Sequence, residues 1–161
     1  MIILPKGVRV LKLKALIGSG DKIMLFTLPF LIIGLILNFM YPEVFSVGGP
    51  TYVLLIISMI FLIPGITIWV WTVALILLKV PEGKLIINGP FAIVKHPLYT
   101  GVSFLVLPWL GFLLDTWLGV VIGIVMYAAS RKYSKEEEDW LLKNFGNEWD
   151  EYNQNVKLPW L

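Results

Sequence analysis

The chain contains a single histidine, His96, which lies in a short polar segment between two strongly apolar parts of the sequence. Pro90 and Pro97 bracket this segment, and the residue before each proline is driven toward an extended conformation. The spacing predicts a rigid loop that presents Lys95, His96 and Tyr99 at one place, as a binding site for a polar ligand requires. The alternative is that His96 only packs at a membrane interface, with an apolar body and a polar tip.

A second polar cluster, residues 131–139, follows the next apolar hairpin and is predicted to fold back beside the His96 loop. Successive residues of a helix turn by about 100°, so the four consecutive acids cannot share one face. Two are expected to face the loop and two to face water: Glu136 and Glu137 toward the loop, Glu138 and Asp139 toward water. Arg131 is expected beside the same pocket, an arrangement that suits a zwitterionic ligand. The alternative is an ordinary solvated helix face.

The apolar content of the chain indicates an integral membrane protein. Of the 161 residues, 58% are hydrophobic, against roughly 45–50% in ordinary soluble domains. Segments 23–40 and 52–78 contain 18 and 27 residues without one charged side chain, and about 20 apolar residues cross the hydrocarbon core. Both segments are therefore predicted to span the membrane as helices.

Two further apolar runs, 99–114 and 116–129, are separated only by Asp115. So short a connection predicts an antiparallel helical hairpin, with Asp115 as the N-cap of the returning helix and with that helix extending to Tyr133. Three glycines on these helices are predicted to allow close packing: Gly111, Gly119 and Gly123. The predicted fold class is an all-α membrane protein with about four transmembrane helices.

The whole chain is predicted to be a single membrane domain. Its parts are a basic interfacial N-terminus (1–22), two transmembrane helices (23–78) and a ligand-binding half (79–161), which comprises a loop (85–101), a helical hairpin (99–133) and a helical tail (134–161). In the tail, Gly146 is predicted to end one helix and Asn147 to begin another. The tail is expected to be amphipathic and to lie on the cytoplasmic surface with its apolar side toward the membrane.

The positions of the basic residues predict the orientation in the membrane. All thirteen Lys and Arg lie within 1–22, 79–95 or 131–161. By the positive-inside rule these parts are cytoplasmic, and so are both termini. We expect the basic residues to contact membrane lipid headgroups and expect no nucleic-acid partner. Because the chain has no cysteine and only one histidine, no metal site is predicted.

Two segments resemble a known family of membrane enzymes. Segment 89–101 has the sequence GPFAIVKHPLYTG, and segment 137–152 has the sequence EEDWLLKNFGNEWDEY. Together they closely resemble the motifs GPYRYVRHPxYxG and EExxLxxxFGxxYxxY of the isoprenylcysteine carboxyl methyltransferase and phospholipid methyltransferase superfamily. The resemblance covers 85–159, nearly half the chain. Several residues depart from the pattern, among them Phe91, Ala92, Lys95 and Trp149.

The resemblance implies an integral membrane methyltransferase that uses S-adenosylmethionine and takes a lipophilic or prenylated acceptor from the bilayer. The cofactor-binding residues that it implies come from both motifs: Lys95, His96, Pro97, Leu98, Tyr99, Gly101, Glu136, Glu137 and Glu138. The catalytic residues that it implies are Arg131, on the acceptor side, and Glu136.

The group that would assist the reaction depends on whether the methyl acceptor is a carboxylate or an amine. A carboxylate acceptor is ionised near neutral pH and needs only to be oriented, which suits the guanidinium of Arg131. An amine acceptor must first lose a proton, for which His96 or a glutamate is the candidate base. Arg131 favours a carboxylate, as in isoprenylcysteine carboxyl methylation. Methylation of a phospholipid amine is the alternative.

Two interpretations outside the methyltransferases stay open. Segment 143–152 is similar to the Lys-x-x-Gly-x-x-Trp-x-x-Tyr tail of NADPH-dependent sterol-type membrane reductases, although those enzymes are usually much longer. A non-catalytic membrane scaffold is the other alternative. It predicts that the glutamates are merely solvated and lie far from His96.

Overall fold

The computed structural model describes residues 19–159, and all regular structure in this range is helical. The basic segment predicted at the N-terminus lies outside these residues, apart from its last four. Six helices follow in chain order: α1 (Gly20–Met40), α2 (Pro42–Phe45), α3 (Thr51–Lys79), α4 (Pro97–Leu113), α5 (Leu118–Phe145) and α6 (Asn147–Asn155). Residues Val102–Val106 of α4 are π-helical. The predicted all-α class is confirmed for the described range.

Two of these helices are long and apolar enough to cross a membrane. The spans are Gly20–Met40 and Thr51–Glu82, with mean hydropathy of 2.4 and 2.6. Pro29 and Pro64 lie inside these helices without ending them, as membrane helices tolerate when neighbouring groups satisfy the freed backbone. Large apolar side chains such as Phe39, which is 88% exposed, cover their outer surfaces. This agrees with a lipid-facing surface and with the predicted pair of crossings.

The hairpin of α4 and α5 is packed backbone to backbone. A Cβ on Gly111 would lie 2.9 Å from Gly119 Cα, and a Cβ on Gly123 would collide with the carbonyl oxygen of Ser103. Side chains at these positions would force the helices apart, so the predicted role of the three glycines is confirmed. Around the hairpin, α1 packs along α5 and α3 packs along α4.

The prediction that Asp115 is the N-cap of the returning helix is wrong. Helix α5 begins only at Leu118, and the backbone of Asp115 has a φ of 51°. Its carboxylate instead accepts hydrogen bonds from the Ser46 hydroxyl at 2.7 Å and from the Gly48 N–H at 3.1 Å. The left-handed turn aims the side chain at the α2–α3 loop, so Asp115 ties two loops together at this end of the bundle.

The polar tail continues α5 without a break before it turns. Helix α5 runs for 28 residues and ends where Gly146, with φ 52° and ψ −123°, reverses the chain into α6. This conformation is readily available only to glycine. The predicted helix end at Gly146 and start at Asn147 are both confirmed. The result is a helical corner on the same side of the bundle as the start of α1 and the end of α3.

Replacing Gly119 by alanine should destabilise the protein by about 1–3 kcal/mol, a typical cost of overpacking. The added Cβ would lie 2.6 Å from Gly111 Cα, a backbone atom that cannot rotate away. Thermal unfolding of detergent-purified protein measures the effect. Val120→Ile is the control, because it adds one methyl group to the neighbouring residue, which is 38% exposed. Equal unfolding temperatures for the two variants would contradict the close packing.

Candidate functional site

The loop that carries His96 is built from two proline-directed turns. Residues Gly89–Ala92 form one turn of 3-10 helix with Pro90 at its start, and Pro97 occupies the first turn of α4. Proline is favoured at a helix start because its missing N–H would have no intrahelical partner there. His96 immediately precedes the helix and is buried, with 8% of its surface exposed. The predicted rigid presentation of Lys95 and His96 agrees with this geometry.

Glu138 joins this loop to α5. Its Oε1 lies 3.0 Å from Nε2 of His96, and its Oε2 accepts a hydrogen bond from Nζ of Lys95, also at 3.0 Å. The side chain of Lys95 is 8% exposed and that of Glu138 is 26% exposed. The prediction that Glu138 faces water is therefore wrong: the helix rotates this residue, rather than Glu136, toward Lys95 and His96 of the loop.

The pKa of Glu138 reflects these two contacts. Burial alone would raise the pKa of this carboxyl, because desolvation penalises the charged form. The hydrogen bonds and charges of His96 and Lys95 outweigh that effect and lower the pKa of Glu138 to about 2. Glu138 is therefore ionised throughout the physiological range, with both oxygens already engaged by protein groups.

The start of α1 contacts the other two glutamates. The backbone N–H of Ser19 donates to Oε2 of Glu137 at 3.3 Å, and the Ser19 hydroxyl donates to the carbonyl oxygen of Tyr133 at 2.8 Å. Lys22 forms an ion pair with Glu136, whose side chain is 69% exposed. Among the described residues, Glu137 has no cationic partner. The first turn of α1 thus forms a further wall beside the loop and α5.

These elements enclose a cavity of about 510 Å³. Small-molecule sites in proteins typically measure roughly 300–1,000 Å³. One part of the wall is polar and the other is apolar and aromatic. The polar members are Ser19, Lys84, Lys95, His96, Glu136, Glu137 and Asn144, and the larger apolar members include Ile76, Leu85, Phe91, Trp140, Leu141, Phe145, Trp149 and Tyr152.

The predicted site residues divide into three groups. Those that line the cavity are Lys95, His96, Glu136 and Glu137. Glu138 lies behind Lys95 and His96 as their partner. Pro97, Leu98, Tyr99 and Gly101 belong to the first turns of α4 and do not line the cavity. Of these, Tyr99 stacks on the His96 ring, with ring centroids 6.0 Å apart, so it contacts the site from behind.

Arg131 is not part of the cavity, contrary to its predicted place beside the carboxylates. Its side chain is exposed, and Nη1 donates to the carbonyl oxygen of Pro159 at 3.4 Å. The C-terminal segment reaches Arg131 because the N–H of Leu158 is bonded to the Ile93 carbonyl oxygen at 2.8 Å. Seven residues separate Arg131 from Glu138, which is about 10 Å along a helix.

The aromatic wall was not predicted from the sequence. The apolar side of the tail was expected to face the membrane, but its residues Leu141, Phe145, Trp149 and Tyr152 pack with Leu85 and turn toward the cavity. The Tyr152 hydroxyl donates to the Phe91 carbonyl oxygen at 2.8 Å, and Trp149 is only 5% exposed. The sequence predicted that the tail is amphipathic, but the surface on which its apolar side packs could not be identified without the Gly146 turn.

The chain was compared with family models, curated proteins and solved structures, and none of the three comparisons gives a match.

Replacing Glu138 by glutamine should destabilise the protein by about 2 kcal/mol or more. The substitution leaves the buried Lys95 ammonium without its counter-charge, and breaking a buried pair from one side typically costs about 3–5 kcal/mol. The expected value is lower because Glu138 is partly exposed. Chemical unfolding in detergent measures it, with Glu148→Gln on the exposed surface of α6 as the control. Equal stability of the two variants would refute the role of the cluster.

The contribution of Glu138 should also depend on pH. Its pKa is lower in the folded protein than the ordinary value of 4.5, so the charged form stabilises the fold. This stabilisation is complete above about pH 5 and is lost as the pH falls through 4.5 toward 2. The difference in unfolding temperature between wild type and Glu138→Gln should therefore be larger at pH 5 than at lower pH, where it should narrow. A difference that stays constant under acid conditions would contradict it.

Proposed function

We propose that the protein is a membrane methyltransferase that uses S-adenosylmethionine and acts on a lipophilic acceptor at the cytoplasmic face of the membrane. The observation that carries this proposal is the cavity where His96 and Lys95 meet the glutamates of α5 beside an aromatic wall. It lies beside the start of α1 and the end of α3, the two helices able to cross the membrane. A polar cofactor and a lipid thus have access to the same cavity.

The residues present fit the cofactor. Within residues 19–159, Glu137 accepts one backbone hydrogen bond, at 3.3 Å, and it retains capacity for an ammonium group or a ribose diol. Lys95 and His96 supply positive or hydrogen-bonding groups for a carboxylate. The rings of Phe91, Trp140 and Phe145 offer flat apolar surface for a base. The cofactor would thus lie between Glu137 and the loop, and it would supply an electrophilic methyl group on a sulfonium.

The protein's contribution to such a reaction is alignment and exclusion of water. Methyl transfer is an in-line displacement, so the walls must hold both reactants along one axis. Glu138 fixes Lys95 and His96 from behind, and the Tyr152 hydroxyl fixes the carbonyl of Phe91. Because Lys95, His96 and the Phe91 carbonyl are held in this way, the cavity is preorganised for its ligands. The apolar side chains of the tail keep water from the reacting atoms.

The proposal includes the topology inferred from charge. We propose four crossings, formed by α1, α3, α4 and the apolar part of α5, with both termini on the cytoplasmic side. The scaffold alternative predicts that His96 lies far from the acidic run, whereas Nε2 of His96 is 3.0 Å from Glu138. That contact favours a built site over a solvated helix face.

Purified protein should bind S-adenosylhomocysteine in a calorimetric titration. We expect His96→Ala and Glu137→Gln to weaken binding at least tenfold, about 1.4 kcal/mol, because the first removes a hydrogen-bonding ring from the cavity wall and the second removes a negative charge. Glu148→Gln is the matched control, since Glu148 is exposed on α6 outside the cavity. Absence of binding to the wild-type protein would refute the proposal. Binding of NADPH in its place would favour the reductase alternative.

A further inference from the structure

Three successive carbonyl groups of the His96 loop, at positions 91–93, accept hydrogen bonds from the tail. The donors are the Tyr152 hydroxyl to Phe91 at 2.8 Å, the Lys157 N–H to Ala92 at 3.4 Å and the Leu158 N–H to Ile93 at 2.8 Å. The last two bonds are backbone to backbone and come from segment 156–159, which follows α6. Because these carbonyl groups come just before Lys95 and His96 in the chain, the tail holds the backbone that leads into both residues.

Segment 156–159 is itself anchored on both sides. At its start, the side chain of Val156 is only 6% exposed and packs in a buried cluster with Trp149 and Tyr152. At its end, Nη1 of Arg131 donates to the carbonyl oxygen of Pro159 at 3.4 Å. The segment is thereby attached to α6 and to α5, so it can fix the loop against both helices.

The segment contacts the loop without contacting the ligand space. None of residues 156–159 lines the cavity, whereas Lys95 and His96 do. Glu138 fixes the side chains of these two residues, but their positions also depend on the backbone that carries them. A binding group must be held to within about 0.5 Å of its productive position, so a displaced loop backbone would misplace Lys95 and His96.

From these contacts we infer that segment 156–159 is a positioning element of the cavity. It holds the loop backbone where Lys95 and His96 meet the cofactor, and it thereby sets the affinity for a ligand that it does not touch. The inference rests on the proposed methyltransferase function. It also gives Arg131 a positioning role in place of the expected catalytic one, because its guanidinium acts on the cavity only through Pro159.

The test uses two substitutions at one position. Leu158→Pro removes the N–H that donates to the Ile93 carbonyl oxygen, and Leu158→Ala shortens the side chain but keeps that donor. We expect Leu158→Pro to weaken S-adenosylhomocysteine binding by about fivefold, and Leu158→Ala by less than about twofold. Calorimetric titration of the full-length protein in detergent measures both affinities.

Hydrogen exchange of the loop amides gives a readout that needs no ligand. The N–H groups of Ile93 and Val94 both donate to the Pro90 carbonyl oxygen at 3.1 Å, so their exchange reports the order of the loop. We expect this exchange to be about fivefold faster in Leu158→Pro than in Leu158→Ala, with unchanged exchange in the α4–α5 hairpin. Mass spectrometry of peptides from segment 85–101 measures it.

A double-mutant comparison separates positioning from a general loss of stability. The effect of Leu158→Pro on affinity should fall to half or less in a His96→Ala background, because it passes through the loop. It should persist in full in Glu137→Gln, since Glu137 belongs to α5. Equal effects in both backgrounds, or equal affinity and loop exchange in the two Leu158 variants, would overturn the inference.

A second pair of variants applies if Leu158→Pro does not fold. Arg131→Ala should accelerate loop exchange, whereas Lys135→Ala should not, because Lys135 is an exposed basic residue one turn further along α5. Equal exchange in this pair would then overturn the inference. Failure of the wild-type protein to bind S-adenosylhomocysteine would overturn the proposed function, and the exchange measurements would still decide whether segment 156–159 positions the loop.

Discussion

The arrangement of the site depends on one carboxylate that two loop residues share. Glu138 holds Lys95 with one oxygen and His96 with the other, each at 3.0 Å. Without it, a nearly buried ammonium would face the interior unpaired, and the loop would lose its attachment to α5. The loop in turn supplies the Phe91 carbonyl that receives the Tyr152 hydroxyl. Glu138 thus joins the loop to α5, and the Tyr152 hydroxyl joins the same loop to α6.

Much of the fold follows from residue patterns that act locally. Charge-free runs predicted α1 and α3 to within three residues at each end, and the positions of Gly146 and Asn147 marked helix ends correctly. Gly111, Gly119 and Gly123 indicated the close hairpin because only glycine permits such backbone contact. These features depend on short-range steric contacts and on the length of apolar helix that a bilayer requires. Both can be recognised from neighbouring residues in the sequence.

The site was less predictable because its contacts join distant residues. The helical period showed that the four consecutive acidic residues cannot all share one face of the helix. It did not show which glutamate meets His96, because each residue turns the helix by about 100°. Glu138 occupies the position that was expected for Glu136. Arg131 instead donates to the Pro159 carbonyl oxygen in the C-terminal segment, and no local sequence pattern indicates that contact. The role of Ser19 depends on how α1 packs along α5, and its position in the sequence gives no indication of that packing.

Helix α5 is a single rod of 28 residues, about 42 Å long at 1.5 Å per residue. Its first half belongs to the apolar bundle, and its second half carries Glu137, Glu138 and part of the aromatic wall. Because the rod is unbroken, a change in the tilt of its apolar half would move Glu137 and Glu138 with it, and the packing of α1 along α5 holds Ser19 to the same axis. The apolar bundle and the site therefore form one mechanical unit.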